Sequence, residues 1–194
     1  MRKLTYLVAA TLDGIIAAPG GGNPAGPDGF FVAEGDHMQG LFRDYPDIVP
    51  GFAREAVGIG GPNKIFDTVL EGRGSYEIGL AEGIADAYPH LRHYVFSTTM
   101  TATEDPAVEL VAGDPVEKVR ELKREDGLGI WLCGGAGLAQ SLREEIDEIV
   151  LKLHPVVAGA GIPLFSGGFS PQRFALTGTT AYDSGVLHLT YART

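Results

Sequence analysis

Gly129-Ile130-Trp131-Leu132-Cys133-Gly134-Gly135-Ala136-Gly137-Leu138 carries an apolar run into a glycine cluster and then into residues that favour a helix. An apolar segment of this length bounded by glycine reads as a buried strand. Glycines at the junction serve one of two ends. They let a helix pack closely on the strand, or they let a phosphate or a nicotinamide ring approach the backbone, where the free N–H groups of a helix start attract negative charge. Trp131 and Cys133 read as core side chains within this strand, the thiol as structural rather than nucleophilic.

Two further segments end in the same manner. Phe66-Asp67-Thr68-Val69-Leu70 reads as a short buried strand, and Glu71-Gly72-Arg73-Gly74-Ser75-Tyr76-Glu77 then turns through glycine into a helix. Arg73 sits beside the exposed N–H groups of that helix start, where its fork of donors suits a phosphate. His93-Tyr94-Val95-Phe96-Ser97-Thr98-Thr99 is a third strand, closing on small hydroxyl residues. Open α/β sheets bind ligands at the carboxyl ends of their strands, so three strand ends point to one site.

The composition sets the outer bounds. With 194 residues, 44% of them hydrophobic, the chain can bury one substantial core, and no linker splits it. We read a single domain over residues 1–194, with a loop-rich insertion at about 19–64. The net charge of −10 argues against nucleic acid, which needs a basic surface. It also means that positive groups for an anionic dinucleotide must be gathered locally, with Arg73, Arg92, Lys123 and Arg124 as candidates. The one cysteine suits a reducing cytoplasm, and the five histidines show no zinc-binding spacing, so no metal is expected. Met1-Arg2-Lys3 and the apolar run after it imitate a signal peptide, but Asp13-Gly14 breaks that run early, and a strand plus turn explains it better. No stretch is apolar for long enough to span a membrane.

Lys3 to Ala10 reads as a central strand, apolar almost throughout as expected when both sheet faces are covered. A helix is expected somewhere within Asp47 to Val57. Asp114-Pro115-Val116-Glu117 opens another, with Asp as cap, Pro in the first turn and Glu closing a capping box. Glu148 to Val157 reads as a strand. Arg173 to Thr180 and Val186 to Ala192 read as an antiparallel pair joined through Asp183-Ser184-Gly185. The class is α/β, a mixed sheet with helices on both faces and a C-terminal antiparallel hairpin.

In order and spacing these pieces resemble the dihydrofolate reductase-like superfamily, and within it the reductases similar to the C-terminal domain of the bifunctional riboflavin-biosynthesis deaminase-reductase. The resemblance rests on Ala9 to Ala17, Gly72 to Glu77, the strand end at Val95 to Thr98, Trp131 to Leu138, Ile146-Asp147-Glu148-Ile149 and Gly161-Ile162-Pro163-Leu164-Phe165. It covers nearly the whole chain outside residues 19–64. It implies a small-molecule reductase that transfers hydride from NADPH to a pterin-like, riboflavin-precursor-like or carbonyl substrate. By the same likeness Gly72, Arg73, Gly74 and Ser75 match the turn for the ribose 2′-phosphate and pyrophosphate, and Ser97 and Thr98 the adenosine side. Gly134, Gly135, Gly137 and Leu138 match the pyrophosphate and nicotinamide turn, while Ala10 and Ile16 match the wall near the nicotinamide. A cis peptide between Gly134 and Gly135 and a homodimer are implied as well, with Leu187, Leu189 and Tyr191 as candidate shared surface.

The chain departs from its relatives at one place in particular. Gly74 and Ser75 follow Arg73 where a second basic residue and Thr are common, and Glu71 stands where an apolar residue is common. One positive group fewer and one negative group more weaken the 2′-phosphate site and leave NADH open. The proton donor falls in the unaligned region, where Asp13, Asp36, Glu34 and His37 are candidates by position. The alternative is a dinucleotide-binding or ligand-sensing protein without turnover.

Overall fold

A computed structural model describes residues 1–194. Its centre is β1 (Leu4–Ala10), which runs parallel to β6 (Gly129–Gly134) on one side and to β7 (Glu148–Leu153) on the other. Having neighbours on both edges and packed layers on both faces explains why this segment is apolar throughout. Beyond β6 lie β3 (Phe66–Gly72), β4 (Arg92–Phe96) and β5 (Val108–Val111), all parallel. Beyond β7 come β10 (Leu187–Arg193) and then β9 (Phe174–Ala181), both antiparallel. The order across the eight strands is β5-β4-β3-β6-β1-β7-β10-β9. A separate small pair joins β2 (Ile15–Ala17) to β8 (Ile162–Pro163).

Alternate side chains of the central strands build a core on each face. One face packs Leu4, Tyr6, Val8, Leu70, Ile130 and Leu132 against Val119 and Leu122 of α4 (Pro115–Arg124) and against Leu138 and Ala139 of α5 (Ala136–Ser141). The opposite face carries Leu7, Val69, Trp131 and Val150 under Leu41 of α1 (Asp36–Asp44) and Ile48. Because the side-chain period of a strand is two, the residues that face α1 at mid-strand are followed on that face by every second residue to the strand ends. Asp114 caps α4 by accepting from the Val116 amide at 2.8 Å, with Pro115 in the first turn as expected, but Glu117 does not reach back to the Asp114 amide, so the expected capping box is not closed.

The region at 19–64 is loop-rich as expected, and the helix expected within Asp47 to Val57 is present but short. The longest helix of the region is α1, which starts after Gly35 with no side-chain cap, and the Asp47 to Val57 stretch holds only a short 3-10 turn (Pro46–Ile48) and the single turn of α2 (Gly51–Arg54). The strand expected from Glu148 to Val157 stops at Leu153, before Pro155. Asp47 ties this region to the sheet. Its buried carboxylate accepts the amides of Lys64, Ile65 and Phe66, at 2.6 Å for Ile65, and so fixes the entry into β3.

Candidate functional site

The carboxyl ends of β1, β3, β4 and β6, with the start of α3 (Arg73–Ala81), open into one cleft of about 1200 Å³. Ile16, Gly72, Arg73, Gly74, Ser75, Ser97, Thr98, Gly134, Gly135, Gly137 and Leu138 all line it, so residues far apart in sequence meet there as expected. Ala10 is the exception. It is buried with its side chain on the other face of β1, and Ala9 lines the cleft in its place.

The glycine end has the form of a cradle. Gly134 takes φ +156°, which side chains rarely tolerate, and a Cβ there would come within 3.1 Å of Ser75 Oγ. The bond from Gly134 to Gly135 is cis. A Cβ at Gly74 or at Gly137 would meet nothing within 4 Å, so both backbones front open space. Arg73 is half-exposed at this end; its Nε donates to Glu77 Oε1 at 2.6 Å and its guanidinium to Thr99 Oγ1 at 2.9 Å. The open glycine cradle, the Ser75 hydroxyl and a guanidinium at the rim fit a dinucleotide. The other proposed cations lie elsewhere. Arg92 pairs with Glu125, Lys123 pairs with Asp147 at 2.7 Å, and neither they nor Arg124 line the cleft.

The floor of the cleft holds charge that the sequence did not single out as catalytic. His93 of β4 places Nε2 2.9 Å from Glu71 Oε2 and Nδ1 2.9 Å from Asp86 Oδ1, and the three side chains are 1%, 8% and 9% exposed. A carboxylate accepts, so both ring nitrogens donate, which is the pattern of an imidazolium. Burial opposes that charge, but the hydrogen bonds and charges of Glu71 and Asp86 outweigh it and raise the His93 pKa above its ordinary value. Beside Glu71 lie the thiol of Cys133 and the phenol of Tyr88. Burial first, and then the Glu71 charge, push the thiol well up, so it stays protonated. Two strands away Lys152 of β7 also lines the cleft, with burial holding its pKa below the usual lysine range.

The acids proposed by position lie outside this floor. Asp13 accepts from Thr11 Oγ1 at 2.6 Å and from the Ala158 and Gly159 amides, which bring its pKa down to about 2. It pins a turn. Asp36 accepts the amides of Asp183 and Ser184 and so ties α1 to the C-terminal hairpin. His37 is buried between Ser184 Oγ and the Val32 carbonyl, and Glu34 is exposed. None of the four lines the cleft. The only trace of the missed residues in the sequence is that Glu71 and Lys152 are charges near the carboxyl ends of their strands, each after two or three apolar residues, and strand pairing puts both on the face that Trp131 occupies.

Residues 2–188 match the family model described as the RibD C-terminal domain. The chain belongs to this family. Among RibD C-terminal domain relatives is YwjB of Bacillus subtilis (strain 168), a protein itself uncharacterised, 30% identical over 194 residues that cover 99% of this chain and 98% of that one. YyaP of the same organism, also uncharacterised, is 34% identical over 102 residues, 52% of this chain and 54% of that protein. A protein of Shewanella sp. PV-4, provisionally named a riboflavin biosynthesis protein, superposes with a TM-score of 0.70 at 22% identity, covering 100% of this chain and 99% of the other. The diaminohydroxyphosphoribosylaminopyrimidine deaminase/5-amino-6-(5-phosphoribosylamino)uracil reductase of Thermotoga maritima gives 0.66 at 19% identity, covering 100% of this chain and 57% of that longer one. The fold is thus dihydrofolate reductase-like, built on the eight-stranded mixed sheet with its C-terminal antiparallel pair.

Proposed function

We propose that this RibD C-terminal domain protein is an NADPH-dependent reductase of a small heterocyclic or carbonyl substrate, pterin-like or riboflavin-precursor-like, acting as one domain over residues 1–194. The observation that carries the reading is the continuity of the cleft, in which an open glycine cradle lies next to a buried Glu71–His93–Asp86 chain. Bound NADPH would supply the hydride. Gly74, Ser75, Gly135 and Gly137 would hold its phosphates and nicotinamide turn, Arg73 its 2′-phosphate, and Ser97 and Thr98 its adenosine side. Ile16 and Ala9 would form the wall that keeps the ring in place and water out.

Reduction also consumes a proton, and Glu71 is the carboxyl group of the cleft placed to pass one on. His93 and Asp86 behind it hold a proton on a chain of 2.9 Å contacts shielded from water. Loss of reduced-nicotinamide absorbance that depends on an added pterin, lumazine or aminouracil-type compound is the expected result of a substrate screen. NADPH binding, read by quenching of Trp131, with no turnover on any member of such a panel would favour a ligand-sensing protein.

A further inference from the structure

We propose that Lys152 is an anion anchor in the substrate half of the cleft, so that the guest molecule carries a singly charged acidic oxygen, a carboxylate or an ionised ring enol, next to a flat apolar body. The word substrate rests on the reductase reading above; the anchor itself does not.

Lys152 stands at the penultimate position of β7, in register with Ala9 of β1 on one side and His188 of β10 on the other. Strand alternation puts it on the face of Leu7, Trp131 and Cys133, and its free surface is the cleft. The side chain is partly buried, and neither a carboxylate nor another hydrogen-bond acceptor engages the ammonium. The buried cations of the chain, by contrast, are paired, Arg2 with Asp67 and Lys123 with Asp147. A charge turned into a cleft wall loses part of its hydration without gaining a counter-charge, so a fold that keeps one there leaves a place for an anion.

The surroundings leave that potential intact. Cys133 is held as a neutral thiol, and burial keeps His154 and His188 neutral, with pKa values of about 4. Glu71, the acid on the same floor, already spends its charge on His93. Ala9, beside Lys152, is small enough to leave room over the ammonium. On this face of the sheet the cleft is lined by the apolar side chains of Leu7, Met38, Phe42 and Trp131. One ammonium against such a wall suits a single negative oxygen. A phosphate would find more donors at the far end, at Arg73 and the hydroxyls of Ser97 and Thr99.

The test compares naphthoate with its neutral isostere naphthamide on the full chain, read by Trp131 fluorescence at neutral pH. Naphthoate is expected to bind at least about tenfold tighter. Lys152→Met should abolish that preference and Lys152→Arg should keep it, with circular dichroism showing both variants folded. Equal binding of the two probes to the unmodified protein, no binding of naphthoate at millimolar concentration, or a preference that survives in Lys152→Met would each overturn the proposal. If Arg73→Ala removes the preference instead, the anion sits at the phosphate end and the proposal is wrong. A Lys152-dependent preference in a protein that never oxidises NADPH would retire the reductase reading and leave the anchor standing.

Discussion

Arg73 faces two anionic claims at once, the proposed 2′-phosphate and the Glu77 carboxylate one helical turn away. Replacing Arg73 by Ala should weaken NADPH far more than NADH, by roughly tenfold to a hundredfold for a charge-assisted contact. Glu77→Gln should do the reverse and raise the NADPH preference severalfold, because the guanidinium no longer has a competing partner at 2.6 Å. Isothermal titration with both cofactors reads both effects, and equal changes for NADPH and NADH would remove Arg73 from the phosphate site. His93 supplies a second residue-scale test. Its folded pKa is raised above 6.5, so the stability from its charge is complete below about pH 6.5 and is lost as pH rises through the folded value. In Glu71→Gln the His93 ring resonances should titrate at lower pH and reduction should slow. An unshifted titration would separate His93 from the carboxyl chain. Legibility at this scale was uneven. Glycines and Arg73 were readable because their chemistry is local, whereas Glu71 and Lys152 acquire meaning only when β3, β6, β1 and β7 stand side by side.

Among the elements, the parallel strands and α3, α4 and α5 could be read from apolar runs, glycine turns and the Asp114 cap. Helix α1 could not, because it begins without a side-chain cap and owes its place to Leu41 packing on the sheet and to Asp36 gripping the hairpin. Within Asp47 to Val57 the expected helix is the single turn of α2, while Asp47 ahead of it gives its carboxylate to three backbone amides at the head of β3. Asp47→Ala would leave those donors buried and unpaired, and is expected to cost about 3–5 kcal/mol in urea unfolding. Asp47→Asn, which keeps one acceptor, should cost less. The joint of β7 with the 19–64 region is acid-sensitive for a related reason. His154 Nδ1 accepts the Val32 amide at 3.2 Å, and burial, followed by the charge of Lys152, brings its pKa down to about 4. Below pH 6.5 the unfolded chain takes up protons that folded His154 refuses, so stability should fall between about pH 6.5 and 4. The limit is about 3 kcal/mol for this one group. His154→Gln should flatten that part of the profile, and a profile identical to that of the unmodified protein would show that this histidine does not couple folding to acid.

For the whole molecule, the antiparallel half of the sheet is the natural place for a second copy. The outer strand β9 is exposed along most of its length, with Leu176 56% exposed, and Leu187, Leu189 and Tyr191 of β10 are only half-buried. A homodimer through this surface should give light scattering at twice 20.5 kDa. Leu176→Lys should shift the mass toward the monomer without changing the circular dichroism spectrum. A monomer at micromolar concentration for the unmodified chain would rule the dimer out.

The placement of β1 also governs how the molecule comes into being. Of the eight strands of the sheet β1 is made before the others, yet it lies fifth from one edge and fourth from the other, and its two neighbours, β6 and β7, follow only after more than a hundred residues. The Leu4 amide donates to Asp147, 143 residues later, and the β1 pairing with β7 runs to Leu153. At roughly 5–20 residues per second, an apolar segment waits between several seconds and half a minute for its second neighbour. Every nascent chain shorter than that presents an unpaired strand edge to its surroundings. Fragments ending before Leu153 should therefore aggregate rather than fold, and synthesis slowed downstream of β6 should lower the soluble yield even though the finished sequence is unchanged.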